Sequence, residues 1–206
     1  MSAKNERLVW IDCEMTGLDL SVDEIVEVAV VITDYDLVPV DPGFQIVIRP
    51  SDAARKNMGE FVTQMHTTSG LITELDDGVT LAEAEAATLE YIARFVPEAG
   101  KAPLAGNTIG TDRSFIVKDL PGVDAYLHYR NVDVSSIKEL ARRWYPRAYF
   151  NAPAKNGGHR ALADILESIR ELAYYRSIVF VPEPGPSTEE AKAASDAVVN
   201  IFAPKV

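Results

Sequence analysis

An apolar segment near the start of the chain carries two acidic residues at alternate positions. Leu8–Ile11 is followed by Asp12, Cys13 and Glu14, and this composition predicts a buried strand. Because strand side chains alternate between faces, Asp12 and Glu14 share one face and Cys13 points to the other. An unpaired buried carboxylate is costly. The pair therefore indicates either a strand end open to water or a site for Mg²⁺ or Mn²⁺, which prefer oxygen ligands.

The segments that follow predict a mixed sheet. Residues 24–33 and 44–49 are rich in β-branched residues, so the first three strands are expected to form an antiparallel meander. Strand and helix patterns then alternate, which predicts an α/β fold with helices flanking the sheet. We expect one domain over residues 1–180. The prolines that follow mark residues 181–206 as a tail or arm.

Two helix starts are suggested by the spacing of a hydroxyl and an acid. Thr80 and Glu83 form a capping-box pattern before a helix of about four turns. Ser136 and Glu139 have the same spacing, and they predict the start of a second helix after a strand at 126–134.

Composition limits the classes of function. The chain of 206 residues has a formal net charge of -11, which argues against a protein that grips long duplex DNA through its phosphates. Cys13 is the single cysteine, so no intramolecular disulfide is possible. No stretch approaches the ~18 apolar residues of a membrane span. A cytoplasmic protein that does not associate with membranes is expected.

Three further residues have modest individual signals. Asp112 follows a small polar loop and is expected to open a helix, where an acid is favoured by the helix dipole. His159 and Asp164 are five residues apart, which places them ~140° apart on a helix. The Gly157–Gly158 pair therefore predicts that His159 lies in the loop or first turn. Taken singly, each is also explained as an ordinary surface or helix-start residue.

The order of these signals is more specific than any one of them. Acid-x-acid on the first strand, an acid after a polar loop, and H-x₄-D late in the chain resemble the DEDD exonucleases of the histidine subgroup. Within that group WIDCEMTGLD, GNTIGTDRSF, YLHYRNVDVSSIKELARRWYP and HRALADILESIRELAYYR are similar to the oligoribonuclease family, over roughly residues 7–177. The resemblance implies a ribonuclease-H-like fold and removal of nucleotides from the 3′ ends of very short RNA, down to dinucleotides.

The resemblance also implies roles for the five residues above. Asp12, Glu14, Asp112 and Asp164 are expected to hold two divalent cations, Mg²⁺ or Mn²⁺, and His159 is expected to act as the general base. Two such ions can clamp the attacking and leaving oxygens of a phosphodiester, and an imidazole can accept a proton from water at neutral pH.

Substrate-binding residues follow from the same resemblance. Leu18 and Phe61 are expected to hold a base between them, Phe61 standing where many relatives have tryptophan. His66 matches a histidine that contacts substrate. Thr108, where serine is usual, and Ser135 are expected to bind substrate, Ser135 in the segment that caps the 5′ phosphate. For Phe61 a position in the core of a short helix is the alternative.

The family resemblance further implies a homodimer. Tyr129 of one subunit is expected to reach the active site of the other, where short single-stranded RNA binds. The adjacent Arg130 is expected to pair either with a phosphate or with an acid of the protein.

Two other functions remain open at this stage. A proofreading-type 3′-to-5′ DNA exonuclease shares all the acidic motifs, and substrate length distinguishes it. A non-catalytic nucleotide-binding protein with the same fold would not need the complete set of acids and His159.

Overall fold

The computed structural model describes residues 6–155 and 158–201. Within this part of the chain a five-stranded sheet has the order β3-β2-β1-β4-β5. Its strands are β1 (Leu8–Met15), β2 (Ile25–Thr33), β3 (Phe44–Val47), β4 (Pro103–Gly106) and β5 (His128–Asp133). The first three strands pair antiparallel, and β4 and β5 are parallel to β1. The predicted meander and the mixed α/β sheet are therefore confirmed.

Helices cover both faces and one end of the sheet. They are α1 (Asp52–Asn57), α2 (Glu60–Ser69), α3 (Leu81–Phe95), α4 (Ile109–Asp119), α5 (Pro121–Tyr126), α6 (Val134–Trp144), α7 (Pro146–Phe150), α8 (Ala161–Ile178) and α9 (Thr188–Ile201). Two 3-10 turns, Leu71–Thr73 and Leu75–Asp77, lie between α2 and α3.

The alternation of side chains along β1 divides the core into two layers. Val9, Ile11 and Cys13 pack with α3 and α4 on one face. Leu8 and Trp10 pack against α8 on the other. Asp12 and Glu14 continue the face of Trp10, so the two acids lie on the α8 side at the carboxyl end of the central strand.

One predicted helix start is confirmed, at α3, and the starts of α6 and α4 differ from the prediction. The capping box of Thr80 and Glu83 is present at α3. Helix α6, however, begins at Val134, and the side chain of Asp133 caps it by accepting from the Ser135 amide at 2.9 Å. The Ser136 capping box was wrong because β5 runs directly into the helix and its last residue, Asp133, supplies the cap. Helix α4 begins at Ile109, three residues before Asp112.

The chain after α8 forms a further helix. A short connection links Ile178 to α9, where the Ser187 hydroxyl accepts from the Glu190 amide and the Glu190 carboxylate accepts from the Ser187 amide. The domain boundary at residue 180 stays a prediction. In the described residues no helix has both the length and the apolar character needed to cross a membrane.

Candidate active site

Three of the predicted acids converge at the carboxyl end of β1. One oxygen each from Asp12, Glu14 and Asp164 lies within 4.8 Å of the other two. Asp12 and Glu14 come from the strand, and Asp164 comes from the first turn of α8, which packs on this face. A divalent cation with oxygen ligands fits a cluster of this composition and spacing.

Burial, together with neighbouring negative charges, raises the pKa values of these acids. Burial raises the pKa of Asp12 well above its usual range, and the charges of Asp112 and Glu14 raise it further. Burial and the charge of Asp164 raise the pKa of Glu14 to about 7. Burial also raises the pKa of Asp164. These shifts indicate excess negative charge that a bound cation would neutralise.

Asp112 is hydrogen-bonded to the backbone at the same end of β1. Its Oδ1 accepts a hydrogen bond from the Cys13 amide at 3.0 Å, which joins the first turn of α4 to β1. Burial raises the pKa of Asp112 to about 7. The Cys13 side chain is buried in the opposite core layer, as its position in the strand predicted.

His159 lies in the loop just before α8, as expected. Its side chain is exposed, and its backbone is left-handed with φ of 49°. An electrostatic contribution from His159 acts to lower the pKa of Asp164, so His159 is close enough to influence the acidic cluster. Of the preceding loop, Asn156 and Gly157 lie outside the described residues, whereas Gly158 is described.

A buried carboxylate supports the loop that presents Leu18. Asp23 accepts from the Thr16 hydroxyl and from the Asp19 amide, each at 2.9 Å. A Cβ on Gly17 would lie 2.3 Å from Asp23 Oδ2, so only glycine fits beside this carboxylate. The Leu18 side chain is 76% exposed. A large apolar side chain is thus exposed to solvent on a turn that the Asp23 carboxylate stabilises.

Helix α2 contributes one exposed and one buried candidate. Phe61 is 80% exposed, which excludes the alternative of a core position. His66 is fully buried, and its Nε2 lies 2.9 Å from the Met15 carbonyl. Because a carbonyl only accepts, Nε2 carries the hydrogen, and Nδ1 of the neutral ring is an acceptor. Nδ1 has no hydrogen-bond partner among the described residues and lies 3.9 Å from Glu14 Oε2. A substrate atom that reached His66 would therefore lie beside Glu14.

Thr108 and Ser135 meet at the starts of α4 and α6. Their hydroxyl oxygens are 3.1 Å apart, and the Thr108 amide donates to Ser135 Oγ at 2.9 Å and to Asp133 Oδ1 at 3.1 Å. Thr108 has φ of 53°, a left-handed conformation that is unusual for a β-branched residue. Such strain is held in place by surrounding contacts and occurs often at binding sites.

Tyr129 is an exposed aromatic residue on β5. The side chain is 73% exposed, with the Arg130 guanidinium 5.4 Å from its ring centroid. The His128 ring stacks on it at 4.5 Å. The exposed tyrosine ring is therefore flanked by the His128 ring and the Arg130 guanidinium.

Sequence analysis missed two charged networks beside the site. Glu27 lies in the middle of β2 and is fully buried, bound to Arg160 of the His159 loop. Glu171 of α8 accepts from Asn107, whose amide oxygen in turn accepts from the Ser135 hydroxyl. A single glutamate in the otherwise apolar run of residues 25–32 was the signal that could have identified the first network.

The comparisons with known proteins agree with these observations. The exonuclease family model matches residues 9–172. The oligoribonuclease of Leifsonia xyli is 68% identical over 97% of this chain and 96% of its own length. That of Streptomyces coelicolor is 62% identical over 92% of this chain and 94% of its own length. This chain belongs to the oligoribonuclease family. As a member of it, the protein is a 3′-to-5′ exoribonuclease, which confirms the predicted enzyme class.

Solved structures support the fold. Exonuclease I from Methylocaldum szegediense has a TM-score of 0.60 and 18% identity, covering 84% of this chain and 41% of that chain. E. coli exonuclease I in complex with a 5cy-dA13 oligonucleotide has a TM-score of 0.62 and 14% identity, covering 84% of this chain and 40% of that chain. This chain spans about two fifths of the length of those enzymes. The likeness confirms the ribonuclease-H-like exonuclease fold.

Proposed function

We propose that the protein degrades very short RNA, dinucleotides above all, to 5′-mononucleotides in the cytoplasm. The observation that carries the proposal is the group of carboxylates with raised pKa values around the end of β1. Asp12, Glu14, Asp112 and Asp164 would hold two divalent cations, Mg²⁺ or Mn²⁺. When bound, these cations supply positive charge to the scissile phosphate and to the attacking water.

His159 is the proposed general base. It lies at the surface immediately before the helix that carries Asp164, so it is open both to solvent and to substrate. A neutral imidazole accepts the proton of the attacking water, and the products are a 5′-mononucleotide and an oligomer shortened by one residue. Replacing His159 with alanine is expected to reduce kcat by about 10²–10⁴-fold.

The proposed substrate contacts surround the acids. Leu18 and Phe61 hold a base between two exposed apolar side chains, and His66, which is buried beside Glu14, is the proposed histidine of the substrate site. Stacking is worth ~1–3 kcal/mol per base. Base stacking does not need a positively charged surface, so it suits a protein with a net charge of -11. A dinucleotide has too few phosphates for strong binding through counterion release.

A cap on the 5′ phosphate is the proposed source of the length preference. Thr108 and Ser135 present adjacent hydroxyl groups where two helices begin. In the proposed homodimer, Tyr129 of the partner subunit closes the other side of the site. Its exposure supports an intermolecular contact. A longer RNA would collide with this cap.

A length series tests the proposal. RNA oligomers of 2 to 20 nucleotides, labelled at the 5′ end, are incubated with Mg²⁺, with Mn²⁺ or with EDTA. We expect the dinucleotide to be cleaved fastest, with no cleavage in EDTA. A 20-mer that is cleaved as fast as the dinucleotide would contradict the proposed specificity. A matching DNA series separates this function from that of a proofreading-type exonuclease.

A further inference from the structure

We propose that Glu27, Arg160 and Glu74 form a bridge that positions His159 for catalysis. The inference rests on the proposed role of His159 as the general base. The three residues come from β2, from the loop that carries His159, and from the segment after α2. The bridge joins the part of the chain that carries Phe61 to the part that carries the base.

The inner half of the bridge is buried. Glu27 Oε1 accepts from Arg160 Nε at 3.0 Å and from Nη2 at 2.8 Å. Glu27 Oε2 accepts from the Ala161 amide at 3.0 Å, which satisfies one of the free donors at the start of α8. Both carboxylate oxygens are therefore used, and they fix the two residues that follow His159.

The outer half of the bridge reaches the segment after α2. Arg160 Nη1 donates to Glu74 Oε1 at 2.7 Å, and Nη2 donates to Glu74 Oε2 at 3.1 Å. Glu74 lies between the two 3-10 turns, where Leu71 and Leu75 are fully buried against β2. One guanidinium thus joins two carboxylates on anchored elements, using the fork geometry that lysine lacks.

The chain before His159 is anchored as well. Lys155 Nζ lies 3.0 Å from Glu171 Oε2, and Arg170 donates to the Ala154 carbonyl at 3.2 Å. His159 itself is exposed and left-handed. Its position is therefore set through its neighbours, and Arg160 is the adjacent one. A base misplaced by about 1 Å can cost roughly 10²-fold in rate.

A substitution at Glu74 can separate an effect on the position of His159 from an effect on folding. Its side chain is partly exposed, and its removal leaves the buried Glu27–Arg160 contacts and the Ala161 hydrogen bond in place. Asp76 provides a matched control, because it is an exposed acid two residues further on that pairs with Arg55 and does not touch the bridge.

The test compares Glu74→Ala with Asp76→Ala in the full chain. For Glu74→Ala we expect kcat on an RNA dinucleotide to fall about tenfold with KM changed less than twofold, because base binding is retained while the general base is misplaced. Amide hydrogen exchange in residues 159–164 of the metal-free protein should become faster. Asp76→Ala should change neither quantity. Arg160→Lys should retain more of kcat than Arg160→Met.

The outcomes separate this inference from the proposed function. Unchanged kcat and unchanged exchange in Glu74→Ala, beside an inactive His159→Ala, would overturn the positioning role alone. A fully active His159→Ala would instead overturn the base assignment on which the inference rests. A loss in Glu74→Ala that appears entirely in KM would also contradict it, since that result indicates a substrate contact.

Discussion

Two glutamates are paired on the adjacent strands β1 and β2, and they differ in the charge of the groups around them. Glu14 of β1 is the register partner of Glu27 of β2, and both are buried. Glu27 accepts hydrogen bonds from Arg160 and from the Ala161 amide. Glu14 instead lies beside Asp12 and Asp164, and its pKa is raised to about 7.

The difference shows how one fold uses the same side chain in two ways. A buried carboxylate with a full set of donors is stable as an anion and holds elements together. A buried carboxylate surrounded by others is costly as an anion until a cation arrives. The first arrangement organises the start of α8, and the second forms an acidic cluster that could bind metal.

The largest expected effect distinguishes the two glutamates by activity. Glu14→Gln keeps the side-chain volume but removes a proposed metal ligand, so kcat/KM on an RNA dinucleotide should fall by roughly 10³-fold, about 4 kcal/mol. Steady-state kinetics at saturating Mg²⁺ measures this. A loss of less than tenfold would show that Glu14 does not bind the catalytic metal.

The free energy of unfolding should show the opposite order, with the larger loss at Glu27. Glu27→Gln leaves Arg160 without its buried partner, and breaking a pair of this kind costs roughly 3 kcal/mol. Urea unfolding of the metal-free protein at pH 7.5 measures the loss. Glu14→Gln is the matched control, and its free energy of unfolding should be equal to or above that of the unmodified protein. Equal stability of both variants would refute the contrast.

The pH dependence of stability should sharpen the contrast. The folded pKa values of Glu14 and Asp112 are about 7, above the usual values of 4.5 and 3.8. The folded state therefore binds more protons than the unfolded state between about pH 4 and pH 7, and stability falls as pH rises through that range.

The thermal midpoint of the metal-free protein is thus expected to be several degrees lower at pH 7.5 than at pH 5.5, since about 1 kcal/mol corresponds to roughly 2–4 °C for a chain of this size. Mg²⁺ should raise the midpoint more at pH 7.5, where protons no longer compete for the carboxylates. A midpoint that rises between these two pH values would contradict the raised pKa values.

The smallest expected effect comes from a side chain outside both environments. Phe61→Ala removes a proposed stacking surface, so KM for a dinucleotide should rise roughly fivefold, about 1 kcal/mol. The dependence of stability on pH and Mg²⁺ should stay unchanged, because Phe61 is exposed and carries no charge. A change in kcat with constant KM would argue against a role in base binding.

Much of the fold could be predicted because its signals are local. The β-branched runs of β2 and β3, the alternation along β1 and the capping box of α3 each lie within a few residues of sequence. The predicted start of α6 was wrong because its cap, Asp133, is also the last residue of β5, so the strand pattern concealed a residue type that commonly caps helices.

The candidate site was predictable where residue type and order were sufficient. Asp12, Glu14, Asp112, His159 and Asp164 were identified from their motifs, and the structure brings three of these acids within 4.8 Å of one another. Phe61 was ambiguous in sequence, since a phenylalanine in a short helix is equally suited to a core. Its exposure decided between the alternatives.

The sequence by itself determined which residues are candidates for the chemistry, because carboxylates and a histidine in a characteristic order can be recognised without coordinates. Only the tertiary structure decided which carboxylates are neutralised. Glu27 and Arg160 are 133 residues apart in the sequence. No local pattern indicates that Arg160 donates to Glu27 and that Glu14, the partner of Glu27 on the neighbouring strand, receives no such hydrogen bond from the described residues. That choice depends on how the helix packs on the sheet, and it separates a structural ion pair from a candidate metal site.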